Sequence, residues 1–146
     1  MRIILAAIFT LFGTLVSAAD LITKESPHSV AVTLDRLSAA VEKAGAKVFA
    51  RVDHAKGAAS VGKELRPTEM LMFGNPALGT PAIEAAQTAG LDLPLRAVAY
   101  EDENGQVHIS YHAPSVLTAH GIPADAEVIM KMTGALDKLT NAAISE

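Results

Sequence analysis

The chain has no cysteine. That excludes disulfides, a thiolate nucleophile, an iron–sulfur cluster and a lipid-modified N-terminal cysteine. Tryptophan is absent too, and aromatic residues make up only 4% of the chain, so no aromatic cage is evident. Lysine and arginine number 12 against 16 acidic residues, for a net charge of −4. Nothing basic is clustered, so no nucleic-acid partner is expected. No Gly-Lys-Ser/Thr follows any glycine pair and no nucleotide fingerprint occurs, so no cofactor is expected. The nucleophile-elbow pattern Gly-x-Ser-x-Gly is missing as well; Ser60 lies in Ala-Ala-Ser-Val-Gly.

What is present begins with an export signal. Arg2 supplies a positive start, and Ile3 to Val16 is apolar apart from Thr10, Gly13 and Thr14. Small residues follow at Ser17, Ala18 and Ala19, where a signal peptidase cuts; Ala18 and Ala19 fit equally well. The run is shorter than the roughly 20 residues of an ordinary membrane span. Residues 1–19 are therefore expected to be a signal peptide, and 20–146 one domain without stable membrane insertion. Removing Arg2 makes the exported chain one charge more negative. Its compartment would be the periplasm in a cell with two membranes.

The mature chain carries alternating strand and helix signals. Asp20 to Lys24 reads as a strand. Ser26-Pro27 or Ser29 opens a helix, with Val30, Leu34, Leu37 and Val41 on one stripe and Gly45 closing it. Lys47 to Val52 alternates as a strand, and Asp53 caps a short helix reaching about Gly62. Glu69 to Phe73 is a third strand. Thr80-Pro81 reads as the cap and first residue of a helix to about Ala89. Pro114 to His120 reads as a helical turn. After Pro123 a long helix carries Ile129, Met132, Leu136, Leu139 and Ala143 on one stripe.

Pro94 to Tyr111 reads as a hairpin around Asn104-Gly105. A two-residue turn sets Glu101 opposite His108, Tyr100 opposite Ile109 and Val98 opposite Tyr111. Val98, Tyr100, Val107, Ile109 and Tyr111 then form a core face. Ala97, Ala99, Glu101, His108, Ser110 and His112 form a small, polar outer face, open to solvent, a shallow pocket or a second subunit.

Four groups of residues are candidates for chemistry. Asp53-His54 offers a carboxylate beside an imidazole, either an acid–base pair or a helix cap beside a half-buried histidine. The Gly74 to Pro81 loop offers close backbone approach and the N-terminus of a helix, either an anion site or a rigid turn. The histidines His28, His54, His108, His112 and His120 include no metal-binding pair. His108 and His112 share a strand face at about 13 Å, too far for one ion. A site from His54, His112 and His120 has no sequence support, so no metal is expected. Met70 and Met72 share a strand face, whereas Met130 and Met132 lie about 200° apart on a helix. Core packing explains Met70, Met72 and Met132.

Several strings between Phe49 and His120 resemble one family. They include Val52-Asp53-His54-Ala55, Glu64-Leu65-Arg66-Pro67-Thr68-Glu69 and Phe73-Gly74-Asn75-Pro76 with Gly79-Thr80-Pro81. Gly90-Leu91-Asp92-Leu93-Pro94-Leu95, Tyr100-Glu101-Asp102 and Ser110-Tyr111 continue the match. The chain thereby resembles the DUF302 family, a domain of unknown function. The resemblance implies a two-layer α+β domain that pairs as a homodimer, and it implies no activity. His108 and His112 depart from the family, which usually has an aromatic residue and an asparagine there.

The expected fold is α+β, with a mostly antiparallel sheet and helices largely on one face. The expected function is small-ligand binding or an accessory role outside the cytoplasm, an anion being one ligand class. Arg66, Asn75, Gly79, Thr80 and His112 are the candidate ligand-binding residues. An enzyme with His54 as general base, assisted by Asp53 or Tyr111, is one alternative. A purely structural homodimer is the other.

Overall fold

The computed structural model describes residues 21–146. The expected signal peptide and the start of the first strand at Asp20 lie outside the described residues. Five strands form one antiparallel sheet: β1 (Leu21–Ser26), β2 (Lys47–Asp53), β3 (Thr68–Gly74), β4 (Leu95–Glu101) and β5 (Val107–His112). Their spatial order is β1-β5-β4-β3-β2. The helices are α1 (Val30–Lys43), α2 (His54–Ser60), α3 (Pro76–Ala85) and α4 (Glu127–Ile144), with 3₁₀ helices at Gln87–Leu91 and Pro114–His120.

α1 forms where its stripe and caps require it. Ser29 accepts a hydrogen bond from the Val32 N–H, and Gly45 takes a left-handed φ of 74° just past the helix end. Val30, Leu34, Leu37 and Val41 are buried against Leu71, Phe73, Ala97, Ala99, Ile109 and Tyr111 of the sheet. α4 packs on α1 and adds Leu136, Leu139 and Ala143 to the same core. Lys24 joins β1 to α4. Its Nζ donates to Asp137 Oδ1 at 2.7 Å, Thr140 Oγ1 at 2.9 Å and Asn141 Oδ1 at 2.7 Å. A second, smaller core at one end combines Ala82, Ala89, Leu117, Ile122, Ile129 and Met132.

The hairpin differs from the expected one by one residue. Glu101 pairs with Val107, Tyr100 with His108, Ala99 with Ile109 and Val98 with Ser110. The loop therefore holds three residues, Glu103 to Gly105, closed by an Asp102 N–H to Gln106 O bond, with Gly105 at φ 78°. This is the geometry of a turn followed by a left-handed residue. The Asp102 side chain selects it: Oδ1 accepts from the N–H groups of Asn104 (2.8 Å) and Gln106 (3.0 Å).

A one-residue slip turns a strand over. The faces of β5 are as expected, but those of β4 are exchanged. Ala97 and Ala99 are buried under α1, while Val98 and Tyr100 stand on the outer face with His108, Ser110 and His112. Met70 and Met72 are also on that face and half-buried, so among the methionines assigned to the core only Met132 packs there.

Asp102 also meets His108, whose Nε2 lies 2.9 Å from Asp102 Oδ2. The His108 hydrogen bond, reinforced by the Asn104 and Gln106 N–H groups, holds the Asp102 carboxyl below the usual aspartate range. A carboxyl lowered by folding contributes stability that is complete above the ordinary value near pH 4 and is lost as pH falls through the lowered one. Melting temperatures of the wild type should therefore decline below about pH 4. Asp102→Asn should melt lower at neutral pH and decline less in acid; superimposable profiles would disprove this role.

Candidate functional site

The Gly74 to Pro81 segment was expected to be a loop followed by a helix from Pro81. It is instead the first part of α3 itself, because two cap signals repeat and the earlier one wins. Asn75 is the cap, its Oδ1 accepting from the Ala77 N–H at 2.9 Å, and Pro76 is the first helical residue. Starting there lets Leu78 and Ala82 face the smaller core. Thr80 is exposed inside the helix, and Pro81 is an interior proline. Pro76 has no N–H, and those of Leu78 and Gly79 both go to Asn75 O at 2.9 Å. The first turn thus has its donors partnered, which removes the basis for an anion held by that helix end.

The segment does line a cleft of about 230 Å³. Its walls are apolar: Phe49, Leu78, Ile83, Leu93, Leu95 and Met132, with Asn75 and Thr80 supplying polar groups. The register of β2 against β3 shifts between Val48 and Ala50, and Phe49 stands at this shift, half exposed at 51%. Ile83 stands on another wall, at 38% exposure. Gly79 opens the wall between them. A Cβ built there would lie 4.0 Å from Leu93 Cδ1, so a longer side chain would enter the cleft.

The five candidate ligand-binding residues are not all together. Asn75, Gly79 and Thr80 line the cleft. Arg66 precedes β3, and its Nε donates to Glu101 O at 3.0 Å. The length of β3, about 20 Å at about 3.4 Å per residue, separates it from Gly74. His112 lies on the outer face of β5 beside a second, smaller cleft bounded by Asp92, Arg96 and Leu117.

The candidate catalytic residues are dispersed. His54 is exposed at the start of α2 rather than half-buried, and Asp53 Oδ1 caps that helix by accepting from the Lys56 N–H at 2.8 Å. Tyr111 is 4% exposed in the main core, on β5, three strand steps from β2. Three steps are about 14 Å across the sheet. Among the described residues, no acid–base set forms around His54.

Sequence reasoning missed two histidine–carboxylate pairs. His108 Nε2 meets Asp102, while His108 Nδ1 is buried with no partner among the described residues. His120 lies between two groups: Nε2 is 2.7 Å from Asp92 Oδ2, and Nδ1 is 3.0 Å from Thr88 Oγ1. An ionised carboxylate only accepts, so Nε2 carries the proton in both pairs. Asp92 and Thr88 belong to the segment before β4 and His120 to the segment after β5, and no sequence spacing announces their meeting. Among the described residues, no group of three or more histidine, aspartate or glutamate side chains could hold a metal ion.

Comparison with known proteins places these features in a family. The model of "Domain of unknown function DUF302" matches residues 22–139. A crystal structure of an uncharacterized conserved DUF302 protein from Bacillus stearothermophilus has a TM-score of 0.76 at 20% identity, covering 84% of this chain and 97% of that one. Two curated relatives are each 43% identical over 119 residues: "Fluoride-specific ion channel FluC 1" of Brucella suis and of Brucella abortus. The alignment covers 80% of this chain but 47% and 44% of theirs, so the chain spans about half the length of those relatives. No helix of the described residues is long and apolar enough to cross a membrane.

The cap assignment is checked by denaturant unfolding. Asn75→Ala should cost about 1 kcal/mol, the usual loss for a cap, whereas Thr80→Ala, exposed inside the helix, should be neutral or stabilise by a few tenths of a kcal/mol. The reverse order would restore Thr80 as the cap.

Proposed function

The chain belongs to the DUF302 family, and from that premise we propose that it is an exported accessory domain that binds a small, largely apolar ligand in the cleft beside α3. The observation that carries this reading is the cleft itself: preformed, walled by Leu78, Leu93, Leu95 and Met132, and rimmed by the half-exposed Phe49 and Ile83. Apolar walls with a few polar groups are the usual composition of a small-molecule site. Asn75 and Thr80 would orient the ligand. At about 230 Å³ the cleft is below the roughly 300 Å³ at which drug-sized pockets begin, so the ligand is small or enters by one end. The apolar walls favour a neutral group over an anion, since a buried anion needs a charged or hydrogen-bonded partner.

Two supports are independent of the cleft. The apolar N-terminal run with Ala18-Ala19 supports export to the periplasm or the medium. The curated relatives support an accessory role, since in them a segment like this chain makes up just under half of proteins named for a membrane channel. A homodimer is part of the same reading. The outer sheet face keeps Met70, Met72, Val98 and Tyr100 only half-buried, which is surface a second copy would cover.

Native mass spectrometry of the protein recovered from the exported fraction tests the reading. The expected spectrum shows the chain cut after Ala18 or Ala19, carrying a small bound mass that is absent from Gly79→Leu. Gly79 has ordinary helical backbone, so this variant should fold; a helix also gains up to about 1 kcal/mol when an interior glycine is replaced. The same bound mass on Gly79→Leu would move the ligand out of the cleft. A bare wild-type chain that also fails to bind a fluorescent apolar dye would end the ligand-binding reading.

A further inference from the structure

One cluster lies apart from the large cleft and outside the proposed function. Thr88 is exposed on the 3₁₀ helix before β4, and its hydroxyl meets His120 Nδ1 at 3.0 Å. The His120 side chain is only 11% exposed, and its other nitrogen is held by Asp92 at 2.7 Å. The Asp92 carboxylate can only accept, so it fixes the proton on Nε2 and leaves the Nδ1 lone pair directed at the Thr88 hydroxyl. A hydroxyl bonded to a base, with the base oriented by a third group, is the arrangement of an activated nucleophile. Asp92 is fixed in turn by Arg96, whose Nη2 lies 3.6 Å from its Oδ1. Asp92 and Arg96, but neither Thr88 nor His120, also border a small cleft of about 30 Å³ bounded by Leu93, His112, Pro114 and Leu117.

We propose that Thr88 is a nucleophile that takes a small acyl group from an activated ester, with His120 as its base and Asp92 as the positioning residue. The Thr88 Oγ–carbonyl carbon bond forms as the Oγ proton passes to His120 Nδ1. The bond between that carbon and the alcohol oxygen breaks, and the alcohol leaves with the proton returned from Nδ1. Water then cleaves the acyl-threonine by the same route, its proton going to Nδ1 and back to Thr88 Oγ. No oxidant, reductant or metal is needed.

The test is incubation of the full exported protein with p-nitrophenyl acetate, following nitrophenolate release and mapping acetyl groups on peptides. The expected result is an acetyl group on Thr88, with release that falls at least about 100-fold in Thr88→Val and His120→Gln, the scale of general-base assistance. Thr88→Ser should retain release, and His28→Gln, a half-buried histidine outside the cluster, should leave it unchanged. Acetyl confined to lysines or other histidines would overturn the proposal. So would a folded Thr88→Val that releases nitrophenolate at the wild-type rate. The map on the wild-type protein decides even if a variant fails to fold. Gly79→Leu should leave acetylation intact, so this site and the cleft fail separately.

Discussion

Everything in this fold depends on one dry contact, the stripe of α1 against one face of the sheet. Leu34, Leu37 and Val41 are fully buried, as are Ala99 and Ile109 opposite them. Side chains of this kind each contribute about 1.5–3 kcal/mol by leaving water. The small residues Ala97 and Ala99 sit in the middle strand and leave room for the leucines of α1. α4 packs on α1, reaches β1 and adds to the same core. Because only one face is dry, each strand needs one apolar side and its register is strongly specified.

The hairpin shows how that specification is enforced. Asn104-Gly105 by itself favours a two-residue turn, which would have put Ala97 and Ala99 outside and Tyr100 under α1. Asp102 outweighs it by binding the two backbone N–H groups of the three-residue alternative and meeting His108 with its other oxygen. The core agrees with the loop, since Tyr100 would not fit where Ala99 has no exposure at all. Local turn chemistry and packing thus point to one register. The His108 ring stacks on Tyr100 with centroids 5.3 Å apart.

The two proposed sites differ in how they are assembled. The cleft beside α3 collects one helix, the end of β3 and the shift in β2, all of which the strand order brings to one end of the sheet. The Thr88–His120–Asp92 cluster instead joins two short 3₁₀ helices on connections that flank the β4–β5 hairpin. Connections over a rigid sheet are where reactive groups usually collect, because their backbone is free of the ladder. Neither region uses His54, which has the right chemistry but stands exposed on an edge strand's end with its neighbour Asp53 tied to a cap.

The sequence by itself determined the elements and the buried stripes. Val30, Leu34, Leu37 and Val41 and Ile129, Met132, Leu136, Leu139 and Ala143 are buried as their spacing requires, because helical periodicity is a local property of the chain. Asp53 caps α2 for the same reason, its bond spanning three residues. Where two local signals competed, only tertiary structure decided. Asn75 prevailed over Thr80 as a cap because it turns Leu78 and Ala82 into the smaller core, and three loop residues prevailed over two because Ala97 and Ala99 fit under α1. Asn75, Gly79 and Thr80, close together in the chain, do line the cleft, whereas the Thr88–His120–Asp92 cluster lay beyond local signals. Asp92 and His120 are 28 residues apart, and nothing but packing brings an imidazole to that carboxylate at 2.7 Å.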